Sequence, residues 1–158
     1  MEPTKTTTRT DGRELAAVVS KILGDLAFMV GDGESHGKIP ADAIWLQGEI
    51  SYRGPLAGTL RCFCTRDFAV QLTANLLGLD PDEEDARDGA DDAMREFMNV
   101  LCGHLITVWH GTEAVFNITL PKVVECREPP NPESWASTCH CRLWVAGEPF
   151  FCSFEVRD

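Results

Sequence analysis

MREFMNVLCGHLIT, residues 94–107, interrupts an apolar run with polar residues at a helical interval. At about 100° per residue, Glu96, Asn99 and Gly103 fall within roughly 60° of one another and form one narrow stripe. Met94, Phe97, Met98, Leu101, Leu105 and Val108 gather on the opposite side, the pattern of a helix packed on a core. One face is therefore expected to be buried, and the other to display a carboxylate, a carboxamide and a gap. A glycine inside a helix costs about 1 kcal/mol against alanine, so Gly103 is read as a point of close approach by a backbone or ligand.

Outward from this helix, the chain divides into short periodic segments. Towards the N-terminus, RDFAVQLTANLLGLD (66–80) has helical spacing through Phe68, Leu72, Leu76 and Leu77, with Gly78 placed to end it. Before it, AIWLQGEISYRGPLAGTLRCFCT alternates around RGP and predicts a half-buried β-hairpin with strands near 43–52 and 56–64. GDGESHGKIP (31–40) is a break. Ahead of that, Leu15, Val18, Val19, Ile22, Leu26 and Met29 predict a first helix from Arg13 to about Val30, with Asp11 as its N-cap. Residues 1–11, polar and Thr-rich, are expected to be a disordered leader, and 12–158 one domain.

Between the second and central helices, DPDEEDARDGADD (80–92) holds eight carboxylates and reads as a solvated linker whose charge suits the following helix N-terminus. After the central helix, EAVFNITLPKVVEC (113–126) reads as one strand, or two broken at Pro121. REPPNPES is a loop, and WASTCHCRLWVAGEPFFCSFEVR closes the chain as an antiparallel hairpin around AGEP. Few strands are joined by the crossover helices of a parallel sheet. The expected class is α+β, an antiparallel-rich sheet with helices packed on one face.

Composition narrows the function. With 158 residues, 44% of them hydrophobic, the chain can build a sizeable core. A formal net charge of −11 opposes nucleic acid and anionic membranes as partners. No apolar run is long enough for a membrane span and the start has no signal-peptide core, so a cytoplasmic protein is expected.

Seven cysteines without an export signal read as reduced thiols. The CFC (62–64) and CHC (139–141) pairs fall in predicted strands, where side chains two residues apart project in parallel about 6.5 Å from each other. That spacing suits small hydrophobes in a sheet better than one tetrahedral zinc ion, even with Cys102, His104 and His140 in the chain. The sequence also lacks the P-loop and G-x-G-x-x-G patterns.

The sequence resembles the CheX and CheC family of chemotaxis phosphatases. Its signature, E-x-x-N followed by a small residue and glycine, is matched by EFMNVLCG from Glu96 to Gly103. ELAAVVSKILGDLAFMV is similar to the opening helix of the CheX branch, and GPLAGTLRCFCTRDFAVQLTANLLG to the family's strand–helix–glycine stretch. The resemblance covers about residues 12–157.

It implies a two-component signalling enzyme that hydrolyses the aspartyl phosphate of a CheY-like response regulator. Asn99 would position the attacking water, as a glutamine does in Ras-type GTPases. Glu96 would pair with the regulator's active-site lysine, and Gly103 would leave room for the regulator's backbone. The Mg²⁺ would belong to the regulator, with no cofactor in this chain. The CheX branch further implies a homodimer through sheet edges, for which the closing hairpin is a candidate.

Glu14 is followed three residues later by Ala17, so the second E-x-x-N of CheC proteins is missing. His104 stands where a small or amide residue is expected. The competing readings are a non-catalytic adaptor of a chemotaxis or motility complex, and a thiol- or metal-based redox protein.

Overall fold

In a computed structural model, residues 12–31, 39–113, 115–131 and 139–157 are described. Ten elements follow in order: α1 (Gly12–Ala27), β1 (Trp45–Arg53), β2 (Ala57–Thr65), α2 (Arg66–Leu77), α3 (Glu84–Asp88), α4 (Ala90–His110), β3 (Asn117–Ile118), β4 (Lys122–Cys126), β5 (Cys139–Val145) and β6 (Glu148–Arg157). The expected leader and the Asp11 cap lie outside the described residues.

The strands form one antiparallel sheet in the order β3–β1–β2–β6–β5, with β4 also paired to β1. Along that edge β3 pairs with Tyr52 and Arg53, while β4 pairs with Trp45 through Glu49. Pro121 lies between them, buried, because it has no N–H to give a ladder. The β1–β2 pairing sets Gly48 opposite Cys62, and the β5–β6 hairpin turns through Ala146 and Gly147, at φ 54° and 79°. Two consecutive left-handed residues match the right-handed twist of the flanking strands, which is how AGEP makes a two-residue turn.

The α+β expectation holds, with α1, α2 and α4 on one face of the sheet. Leu15, Val19, Ile22 and Leu23 of α1, Phe68 and Leu72 of α2, and Met94, Phe97, Met98, Leu101 and Leu105 of α4 are buried there. Inward residues of the strands, among them Leu46, Ile50, Tyr52, Leu60, Phe150 and Phe154, complete this core. Burying side chains of this size stabilises the fold by about 1.5–3 kcal/mol each before conformational entropy is subtracted.

Alternation along the strands sends Trp45, Phe63, Trp144 and Phe151 to the other face, where they form a smaller aromatic cluster. The rings of Trp45 and Phe151 stack 5.9 Å apart. This second cluster was not anticipated from the sequence.

Three local expectations are corrected. The first helix ends at Ala27, short of Val30, because Phe28 turns left-handed at φ 56° and its N–H returns to the Gly24 carbonyl. The acidic stretch is not simply a linker: it holds the short helix α3, pinned by Ala86, which is fully buried. Val108 is 51% exposed, although the wheel places it with the core residues. Neighbouring elements cover that flank of α4 at Ala90 and Phe97 but leave it open at Val108 in the last turn.

α2 follows its sequence closely. Thr65 caps its start by accepting a hydrogen bond from the Phe68 N–H at 3.1 Å, and Gly78, at φ 70°, ends it.

Candidate functional site

Glu96 and Asn99 are both exposed on α4, and the two residues between them, Phe97 and Met98, are fully buried. One turn of helix thus anchors itself with its inward pair and presents the outward pair. Gly103 follows one turn beyond Asn99, half-buried, and its carbonyl accepts a hydrogen bond from Thr107 Oγ1 at 3.1 Å. The stripe expected from the sequence is therefore present as a single outward strip along the helix.

Three contacts hold α4 in place beneath this strip. At its centre, Met98 packs where a side chain on Gly48 of β1 would otherwise stand. At its N-terminal end, Arg66 of α2 reaches Asp91 at 3.7 Å and Glu125 of β4 at 2.9 Å, and its N–H donates to the Ile44 carbonyl at 2.8 Å. At its C-terminal end, His110 Nε2 lies 2.9 Å from the buried Tyr52 hydroxyl, and its ring stacks on Phe116. Burial lowers the His110 pKa below the ordinary imidazole value, which favours the neutral ring that packs there.

Sequence reading missed all three anchors. Gly48 alone carried a local signal, since a glycine inside an alternating strand marks close approach by another element. The Arg66 and Tyr52 contacts join residues far apart in the chain.

Gly103 stands clear of the other described elements. A Cβ built there meets nothing within 4 Å, so no described part of this chain approaches it. Close packing among the described residues does not account for the glycine.

Electrostatically, the strip begins beside acid. Asp91 and Asp92 occupy the first turn of α4, and Arg95 is paired with Asp92 at 2.8 Å. The dipole of the helix favours this placement of carboxylates.

Five of the seven cysteines belong to the sheet and helix interior, and Cys126 and Cys139 are partly exposed. Cys62, Cys64, Cys102 and Cys152 are fully buried, with Cys62 and Cys152 facing each other across β2 and β6, their sulfurs 3.8 Å apart. Burial raises the Cys102 thiol to about 11 and pushes Cys64 and Cys152 well above their ordinary range. Among the described residues no three metal-ligating side chains converge, and no helix is long and apolar enough to cross a membrane.

Residues 46–134, more than half of the chain, match the family model "Chemotaxis phosphatase CheX". No curated protein sequence matches. Among solved structures, a putative chemotaxis protein from Desulfovibrio vulgaris Hildenborough superposes with a TM-score of 0.68 at 17% identity, covering 94% of this chain and 100% of its own. The chemotaxis protein CheX from Desulfovibrio desulfuricans gives 0.65 at 15%, covering 92% and 98%. A CheX–CheY–BeF3–Mg²⁺ complex from Borrelia burgdorferi gives 0.59 at 18%, covering 95% and 100%. The chain belongs to the CheX family.

Proposed function

We propose that this member of the CheX family hydrolyses the aspartyl phosphate of a CheY-like response regulator, using Glu96 and Asn99 on the outward face of α4. The observation that carries the reading is the exposure of this carboxylate and carboxamide side by side on a helix anchored at both ends and at its centre. The Borrelia relative, solved bound to CheY, supports the choice of partner.

The chemistry asks little of the enzyme beyond placement. An acyl phosphate is already labile, and its hydrolysis needs a water oxygen in line with phosphorus and opposite the aspartyl oxygen. Water attacks phosphorus, the bond to the aspartyl oxygen breaks, and inorganic phosphate leaves behind a free carboxylate. A carboxamide both accepts from and donates to water, so Asn99 orients the nucleophile without acting as a strong base. Glu96 pairs with a lysine of the regulator and sets the depth of docking. Gly103, open on its outer side, admits the regulator's backbone. The divalent ion, Mg²⁺, is supplied by the regulator.

The proposal includes a cytoplasmic homodimer paired through a sheet edge. Exposed apolar side chains support the β3–β4 edge as well as the closing hairpin: Ile118, Leu120 and Val124 are 40%, 86% and 55% exposed. Light scattering on the purified chain measures that state directly.

The test of the activity is the decay of a phosphorylated CheY-like regulator from the same organism, alone, with wild-type protein and with Asn99→Ala. Acceleration by wild type, reduced one to several orders of magnitude in the variant, is the expected result. Glu96→Ala is expected to weaken the complex and slow turnover together. Equal decay in all samples, with binding retained, would make the chain an adaptor.

A further inference from the structure

Arg95 is the only lysine or arginine in the 21 residues of α4. It stands one turn before Asn99 and about 40° from it around the helix, at the margin of the outward strip. Its Nη1 rests 2.8 Å from Asp92 Oδ1, and the two side chains are 40% and 86% exposed. A pair so open to water contributes little to stability, so its cation is free to exchange one anionic partner for another.

The surroundings give that cation a role. Eight carboxylates crowd residues 80–92, two of them in the first turn of α4, within a chain of net charge −11. A phosphoryl group carries close to two negative charges near neutral pH, and its approach to Asn99 meets this field. The positive end of the helix lies two turns back and is already faced by Asp91 and Asp92. A guanidinium spans the distance from residue i to residue i+4 on a helix and offers paired N–H donors to phosphoryl oxygens.

We propose that Arg95 reads the phosphoryl group of the docked regulator: its guanidinium departs from Asp92 and donates hydrogen bonds to phosphoryl oxygens, favouring the phosphorylated partner over the unphosphorylated one. This inference rests on the assignment of the Glu96–Asn99 face to docking. It adds a residue that distinguishes the two states of the substrate.

The test measures binding of the full chain to a CheY-like regulator in Mg²⁺, with and without beryllofluoride, which occupies the phosphoryl position on the aspartate. Wild type is expected to bind the beryllofluoride form more tightly. Arg95→Ala is expected to lose about tenfold in affinity for that form, as for a lost hydrogen bond to a charged group, with less than about a twofold change for the other. Arg95→Lys keeps the charge without the fork and is expected to fall between. Equal losses for both forms would reduce Arg95 to general electrostatics and overturn the proposal, as would no loss. If Arg95→Ala binds like wild type while Asn99→Ala stops turnover, this inference alone fails. If wild type binds neither form, the docking assignment has failed and carries this one with it.

Discussion

The sulfur of Met98 occupies the space a side chain on Gly48 would need, and Met98 immediately precedes Asn99. The distance between α4 and β1 is therefore set directly beneath the candidate catalytic amide. A bulkier residue at 48 has to displace Met98 or lift the helix.

Gly48→Val is accordingly expected to destabilise the fold by about 1–3 kcal/mol through overpacking and to lower turnover. Combining it with Met98→Ala relieves the collision, so the double variant is expected to lose less than the sum of the two single losses. Urea unfolding of the four proteins checks this. Strict additivity would show that the two residues do not compete for one space.

Gly103→Ala separates stability from function. Its Cβ meets nothing within the described chain, and alanine is the better helix former, so the variant is expected to gain roughly 0.5–1 kcal/mol. On the docking role assigned to this glycine, the same methyl group weakens regulator binding. A thermal melt and a binding isotherm on one preparation read both signs, and a stabilised protein with unchanged affinity would remove Gly103 from the interface.

His110 makes stability pH-dependent. Burial lowers its pKa in the folded protein, so the unfolded chain takes up the proton first as the pH falls. The stabilisation is fully present above the ordinary imidazole value, about 6.5, and is lost as the pH drops from there through the folded value. His110→Phe is expected to flatten this part of the stability profile. The imidazole titration of His110, followed by NMR, is expected to have its midpoint below the ordinary value.

Thiol reactivity follows burial. Cys126 and Cys139 are partly exposed, whereas Cys62, Cys64, Cys102 and Cys152 are fully enclosed. A disulfide reagent such as DTNB is expected to modify the first two ahead of the others in the native protein. All seven are expected to react once the chain is unfolded. Rapid native labelling of Cys152 would contradict its enclosure between β2, β5 and the helices.

Much of this protein is local in origin and was legible in its residues. Side chains three and four apart share a helix face, so the outward placement of Glu96, Asn99 and Gly103 follows from spacing alone, as does the class of fold from the order of periodic segments. Thr65 and Gly78 mark the ends of α2 because capping chemistry is a property of single residues. The length of α1, the small helix α3 and the exposure of Val108 were not legible. Each depends on what another part of the chain covers or bends away from.

The same distinction separates the reactive residues from the frame that holds them. The sequence by itself determined which side chains α4 turns outward, because a helix converts interval into direction. Only the tertiary structure decided where α4 stands, through Gly48 beneath Met98, Arg66 between Asp91 and Glu125, and Tyr52 against His110. Those contacts join residues separated by up to 59 positions in the chain. They come into being when the sheet assembles, since no local interval brings their partners together.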